Sequence, residues 1–238
     1  MRIISGKFRG RNLANSRNVD NLRPTTDKNR QIIFNVLTSQ KFINNSNLNL
    51  TKIKVADLCC GTGALAFEAI SRFAIYAKLV DISRKNLQLA MENAKILKCE
   101  NICSFVAADI VKVVNNDFFD LIFLDPPYDY NYINALKSLI INNWFSNKTI
   151  LVIEISRFNS DFIAIENQKY LVNSRIFKNN IDFIQKETLL NLNNALKDEL
   201  LQQKLAITII DSKLNDKSLV LFIQFEAIID LYQINKNP

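Results

Sequence analysis

Histidine is absent from the 238 residues, and its absence removes every mechanism that turns on an imidazole: the Ser-His-Asp and Cys-His nucleophiles and His-ligated zinc. Chemistry here must run on carboxylates, backbone groups and a cofactor. Also missing is any run of ~20 uncharged apolar residues, the length that a membrane-spanning helix needs. The opening Met1-Arg2-Ile3-Ile4-Ser5-Gly6 lacks the apolar core of a signal peptide. The expectation is a cytoplasmic protein with no membrane partner. The four cysteines fall as an adjacent pair, Cys59 and Cys60, and a looser pair, Cys99 and Cys103. Neither matches a zinc ribbon or a secreted disulfide framework. All four are expected reduced, in or near the core, and no metal site is expected.

Glycine and proline are nearly as scarce, four of each, so each is expected where the backbone demands it. Gly6 and Gly10 stand in the first dozen residues, Gly61 and Gly63 stand together, and Pro126 and Pro127 are consecutive. Acidic residues are outnumbered, giving a net charge of +7. The excess is concentrated: residues 1–30 hold Arg2, Lys7, Arg9, Arg11, Arg17, Arg23, Lys28 and Arg30 against only Asp20 and Asp27. A clustered basic arm is the footprint of a phosphate-binding surface, although a merely solvated tail carries the same charge.

From about residue 53 short apolar runs alternate with helical periodicity. Strands are expected at 52–58, 77–80, 102–107, 120–124 and 149–155, with helices near 64–73, 84–98 and 132–142. Such alternation means a parallel sheet with helices on both faces, an α/β fold. Lys169–Arg175 and Ile181–Ile184 are expected to close it as an antiparallel edge hairpin, turning at Lys178-Asn179-Asn180. Beyond them lie a helical stretch, Thr188 to Lys204, and two β-rich runs, Leu205–Ile210 and Leu219–Phe225, with no evident role.

The segment Asp57-Leu58-Cys59-Cys60-Gly61-Thr62-Gly63-Ala64 ends a strand and opens a helix. There Gly61 and Gly63 would let backbone approach an adenine nucleoside or dinucleotide. Asp81 ends the next strand, placed to accept hydrogen bonds from both hydroxyls of a ribose. Asp109, ending the third, suits either an adenine amine or a helix cap. These features alone fit a nicotinamide enzyme nearly as well. The decision falls on Asp125-Pro126-Pro127-Tyr128, at the end of the fourth strand, where the ligand crevice of an open sheet lies. Pro126 holds Asp125 extended, and two residues without N–H groups present acceptors with no competing donor. The Asp125 carboxylate and the Pro126 carbonyl can hold both N–H bonds of a base amine, leaving its lone pair aimed at a methyl donor. Tyr128 would stack on a base turned out of its helix or loop.

With these residues in place the chain resembles the bacterial 16S rRNA guanine-N2 methyltransferase family over roughly residues 1–185. The resemblance runs through Met1 to Arg11, Leu22-Arg23-Pro24-Thr25-Thr26-Asp27, a helix ending at Phe34-Asn35, Asp57 to Arg72, and Asp125 to Tyr128. Gln31, Ser83 and Ile176-Phe177-Lys178 depart from the family pattern. It implies a class I, Rossmann-like methyltransferase core with S-adenosylmethionine as donor, held by Asp57, Gly61, Gly63, Asp81 and Asp109, and catalysis by Asp125, Pro126 and Tyr128. It further implies rRNA contacts from Arg2, Lys7, Arg9, Arg11, Arg23 and Thr25. The expected partner is 16S rRNA, within the 30S subunit or an assembly intermediate, acted on by a monomer. The chain divides on this reading into a basic arm and helix (1–40), a core (41–186) and a C-terminal extension (187–238). The rivals are an amino-methyltransferase of DNA or another RNA, a catalytically inactive binding or assembly protein, and a nicotinamide dehydrogenase.

Overall fold

Leu121-Ile122-Phe123-Leu124 leaves no side chain exposed, the mark of a strand covered on both faces. The computed structural model, which describes residues 1–14, 27–127, 131–156, 181–214 and 218–227, places this segment (β4) at the centre of a seven-stranded sheet. The other strands are β1 (Lys54–Leu58), β2 (Tyr76–Asp81), β3 (Cys103–Ala107), β5 (Ile150–Ser156), β6 (Leu205–Leu214) and β7 (Ser218–Ala227). The helices are α1 (Asp27–Leu37), α2 (Gln40–Ser46), α3 (Ala64–Ser71), α4 (Arg84–Leu97), α5 (Tyr132–Ile141), α6 (Ile181–Ala195) and α7 (Lys197–Gln202).

The strand order is β3-β2-β1-β4-β5-β7-β6. Strands β1 to β5 are parallel, and β7 runs antiparallel to both β5 and β6. The chain steps outward from β1 through β2 to β3, then returns to the other side of β1 for β4. This reversal opens a crevice beyond the carboxyl ends of β1 and β4.

Each face of the sheet has its own core. Val55, Leu79, Phe123 and Val152 pack on one face with α1, α3 and α4; Ala56, Val80, Ile122, Leu124 and Ile153 pack on the other with α5, α6 and α7. On the first face Phe34 of α1 meets Phe123 at 5.7 Å between ring centroids, and Phe42 of α2 meets Phe222 of β7 edge-on at 5.5 Å. On the second, Trp144 stacks on Phe119 and donates its indole N–H to the Val113 carbonyl at 2.9 Å.

The antiparallel edge is present, built from a different part of the chain than expected. Ile181–Ile184 form the first turn of α6, and Lys169–Arg175, with the turn at 178–180, lie outside the described residues. The closing hairpin is β6 and β7, from the stretch that had no evident role. Ile150 to Ser156 pair with Gln224 to Ser218, so the carboxyl-terminal residues continue the same sheet as β1 to β5. β7 is buried from Ser218 to Phe225, as a strand with a partner on each side must be. β6, at the edge, carries a bulge between Ile209 and Asp211, and Asp211 and Lys213 add charge there. Bulges and charges both discourage edge-to-edge association.

Residues 1–13 form a small antiparallel arm. Arg2 bridges Asn12, Ile3 N–H donates to the Arg11 carbonyl and Leu13 N–H to the Met1 carbonyl, each at 3.0 Å. Its anchor is the carboxyl half of α3. The fully buried Glu68 accepts from Ile4 N–H at 2.9 Å and Ser5 N–H at 3.0 Å, and is paired with Arg72. Ser71 Oγ accepts from Phe8 N–H at 3.0 Å. At Gly6 (φ +83°) a Cβ atom would stand 2.0 Å from the Ser71 carbonyl oxygen, so only glycine lets the arm lie this close.

Candidate active site at the carboxyl rim of the sheet

The turn after β1 has three residues with positive φ, Cys59 (63°), Gly61 (53°) and Gly63 (77°). Left-handed backbone is uncommon for a side chain such as that of Cys59. Gly63 has no room for one: a Cβ would lie 2.6 Å from Leu79 Cδ2 and from Phe67 Cε2. The turn is tied down by Cys60 N–H to the Val80 carbonyl at 3.0 Å and Gly63 N–H to the Cys60 carbonyl at 2.8 Å. From the far side the buried Asn93 donates its amide to the Thr62 carbonyl at 3.0 Å, and its Oδ1 accepts Ala14 N–H at 2.6 Å. The Gly-rich turn and the basic arm therefore share one buried side chain.

Alternation along the strands places the acids. On β1, β2 and β4 the residues Val55, Leu79 and Phe123 face the α1–α3–α4 side. Two residues on, Asp57, Asp81 and Asp125 fall on that same side. The register pairs Leu58 with both Val80 and Leu124, so Asp81 and Asp125 flank Cys59 at one level, with Asp57 just below. Asp109, following β3, completes the sequence-derived row. Its Oδ1 accepts Val111 N–H at 3.3 Å, a cap on the short turn at 110–112.

The partners of these carboxylates are specific. Asp57 is buried and its Oδ2 accepts Ala66 N–H at 3.1 Å, capping α3. Burial pushes its carboxyl well above the ordinary value; the Ala66 N–H pulls it back, and the nearby Asp125 and Asp81 charges push it further up. Asp81 is buried as well, accepting Gly61 N–H at 2.8 Å on Oδ2, and Ser83 N–H at 2.8 Å and the Asn86 amide at 3.2 Å on Oδ1. It thus fastens the Gly-rich turn to the end of β2. Burial, followed by the fields of Asp81, Asp125, Asp57 and Asp109, pushes the Cys59 thiol up. Burial and the Asp57 and Asp81 charges do the same to Cys60. Both stay protonated at neutral pH and are poor nucleophiles. The rim is an acidic, partly desolvated crevice, and such a field favours a cationic ligand over an anionic one.

Pro126 is buried, Pro127 exposed and Asp125 half-buried, so the Asp-Pro-Pro run lines the crevice with acceptors. Asp57, Gly61, Gly63, Asp81, Asp125 and Pro126 are thereby brought to one rim. Tyr128, Arg23 and Thr25 lie outside the described residues. Arg2, Lys7, Arg9 and Arg11 are exposed along the arm, where Arg11 reaches the Ile96 carbonyl at 3.3 Å and Lys7 and Arg11 lie over the Phe8 ring.

Sequence reasoning missed a fifth rim acid, Glu154. The pairing of Leu124 with Ile153 puts Glu154 beside Asp125, and alternation from Val152 puts it on the same face. It is buried, and its Oε1 accepts the amide of the buried Asn29, in α1, at 2.7 Å. One signal was available: a lone acid in an otherwise apolar strand, Ile-Leu-Val-Ile-Glu-Ile.

Comparison with known proteins sets this rim in a family. The model for the family described as Conserved hypothetical protein 95 matches residues 1–185. An uncharacterized methylase of Rickettsia prowazekii is 31% identical over 204 residues, covering 66% of this chain and 86% of its own. Ribosomal RNA small subunit methyltransferase D of Haemophilus influenzae is 31% identical over 173 residues, covering 70% of this chain and 84% of its own. Among solved structures, an Escherichia coli protein assigned as a methyltransferase superposes with a TM-score of 0.63 at 23% identity, covering 95% of this chain and 98% of its own. A methylase-assigned protein of Haemophilus influenzae gives 0.58 at 20% identity, covering 94% and 97%. These two show a class I, Rossmann-like methyltransferase fold. Matched in one run from the basic arm to beyond β5, the chain belongs to the Conserved hypothetical protein 95 family of methyltransferases.

Proposed function

We propose that this protein transfers a methyl group from S-adenosylmethionine to the exocyclic N2 amine of a guanine in 16S rRNA, presented in the 30S subunit or an assembly intermediate. The observation that carries the reading is the placement of Asp125 on the same rim, and the same face, as Asp57 and Asp81, with Pro126 next to it in the chain. A site for an amine and a site for a cationic nucleoside then share one crevice. The relatives that bear rRNA methyltransferase names support the substrate class.

The rim fits the cofactor chemically. S-adenosylmethionine carries a sulfonium and an ammonium, charges that the row of carboxylates would stabilise, and when bound it supplies the methyl group as an electrophile. Asp81 would take the ribose hydroxyls, Gly61 and Gly63 would admit the nucleoside, and Asp109 would lie towards the base. Asp125 and the Pro126 carbonyl would hold the two N–H bonds of the acceptor amine, drawing the nitrogen lone pair out of conjugation with the ring and orienting it towards the methyl donor. Transfer would exchange the sulfonium C–S bond for the new C–N bond and leave a neutral thioether, and Asp125 would be placed to take the proton that the methylated amine gives up. Tyr128 stacks on the extruded base. Arg2, Lys7, Arg9 and Arg11, with Arg23 and Thr25, contact the rRNA phosphates.

The test is transfer of labelled methyl from S-adenosylmethionine to 30S particles, naked 16S rRNA and DNA, followed by nucleoside analysis. N2-methylguanosine in a ribosomal sample is the expected product. Methyladenine would keep the amine chemistry and replace the base, and labelled DNA alone would overturn the substrate class.

A further inference from the structure

Asn93 of α4 is fully buried and bonded to both halves of the site. Its amide donates to the Thr62 carbonyl, in the Gly-rich turn, at 3.0 Å, and its Oδ1 accepts the N–H of Ala14, at the end of the basic arm, at 2.6 Å. We propose that Asn93 is a positioning residue that couples the two: contact of the arm with rRNA phosphates tightens cofactor binding, and bound cofactor tightens the docking of the arm. Linkage makes the two effects equal. The inference rests on the functional reading above for the identity of both ligands, and deepens it by joining their sites.

An amide is costly to bury and asparagine is a poor helix former, whereas the other buried residues of α4, Leu87, Ala90, Ala94 and Leu97, are apolar. What Asn93 holds is a peptide with unusual freedom. The residues on either side of Thr62 are Gly61 (φ 53°) and Gly63 (φ 77°), and a peptide next to glycine turns more readily than one between side chains. Two bonds oppose such a turn, Thr62 carbonyl with Asn93 and Gly63 N–H with the Cys60 carbonyl. On the other side, Glu68 and Ser71 fasten the arm at the carboxyl half of α3, and Asn93 fastens it beside the turn that opens that helix. The amide of Asn93 is planar, so its donor and acceptor rotate together about one torsion. If the arm undocks, Oδ1 loses its donor, and any rotation that finds it another misaligns the bond to Thr62. Phosphates held by the exposed Arg2, Lys7, Arg9 and Arg11 in the docked geometry therefore favour the ordered turn as well.

The experiment uses sinefungin, an unreactive cationic analogue of S-adenosylmethionine. Its affinity is measured with and without saturating 30S particles, and hydrogen exchange of the Ile3, Gly10 and Leu13 amides is followed with and without it. In the wild type, 30S particles are expected to tighten sinefungin by about tenfold, and sinefungin to slow arm exchange by a similar factor. Asn93→Leu keeps the branched outline and removes both bonds; Asn93→Asp keeps the acceptor for Ala14 and sets a second oxygen against the Thr62 carbonyl. Both are expected to bring the two ratios to about one. In the Asn93→Leu background, Glu68→Ala should no longer alter sinefungin affinity, as it does when Asn93 is present. A merely structural Asn93 would weaken each ligand and leave both ratios at about tenfold, and that result in a folded variant overturns the proposal. So does a wild type whose arm exchange is unchanged by bound sinefungin, a measurement that needs neither variant nor RNA. Sinefungin that does not bind overturns the functional reading and this inference together. If sinefungin binds and 30S particles do not, the substrate of that reading falls alone, and the exchange result decides the inference.

Discussion

The buried Glu68 offers a test of how the basic arm is held. In Glu68→Ala the Ile4 and Ser5 N–H groups lose their acceptor and Arg72 loses its partner. An unsatisfied buried donor costs about 1–3 kcal/mol, and a charge left unpaired by breaking a buried ion pair about 3–5 kcal/mol. The arm has an escape that limits the loss: it can undock and let water satisfy its amides, giving up the burial of Ile3 and Leu13, worth about 1.5–3 kcal/mol each. The cheaper route sets the outcome, and a net weakening of arm docking by about 3 kcal/mol is expected. That corresponds to roughly 100-fold faster hydrogen exchange at the arm amides. The informative probes are Ile3, Gly10 and Leu13, whose N–H groups bond across the arm. Exchange in β1 and β4 should barely change. Because Asn93 joins the arm to the Gly-rich turn through Ala14 and Thr62, a modest fall in cofactor affinity should accompany it. Unaltered arm exchange in a folded Glu68→Ala protein would refute the anchoring role.

Asp125→Ala should lower methyl transfer by at least about 100-fold with fold and S-adenosylmethionine affinity preserved; single-turnover transfer and calorimetry check this, and near wild-type rates would remove Asp125 from the acceptor role. Asp57 makes stability fall with rising pH: its folded-state carboxyl titrates above the ordinary value of 3.8, so the folded state binds the extra proton between the two values and loses that advantage as pH rises through the folded one. Asp57→Asn should therefore raise the melting temperature at neutral pH, with the gain shrinking as pH falls through that window, while cofactor binding weakens; parallel pH curves for the two proteins would contradict the burial assignment. Deleting residues 187–238 should leave β5 with an unpaired apolar edge, and the truncated chain should be insoluble or expose apolar surface to a dye. A soluble, cooperatively melting product would show that β6 and β7 are dispensable.

The parallel half of the fold was legible because β1, β2, β4 and β5 are covered on both faces and read as apolar runs between helical repeats. Ile181–Ile184 was read as a strand because a short run such as Ile-Asp-Phe-Ile fits a strand or a helical turn equally; only the pairing of β5 with β7 shows which segment continues the sheet. The four aspartates stood out because each stands at, or just past, the carboxyl end of a strand. Glu154 and Glu68 did not, since each is one acid inside an apolar element, and its meaning depends on partners 125 and 64 positions away, Asn29 and Ile4. The charge of the arm was readable, whereas its docking runs through backbone amides that any sequence possesses.

The position of β7 also bears on how the molecule is made. During synthesis the outer edge of β5 emerges long before its neighbour, and α6, α7 and β6 must all be translated before β7 can slide between β5 and β6. Until then a row of open peptide groups flanked by isoleucines has no partner strand. Contacts that distant along the chain form slowly, and open strand edges are where nascent chains associate wrongly. The sheet is therefore completed only once β7 has been made, well after the strand whose edge it covers.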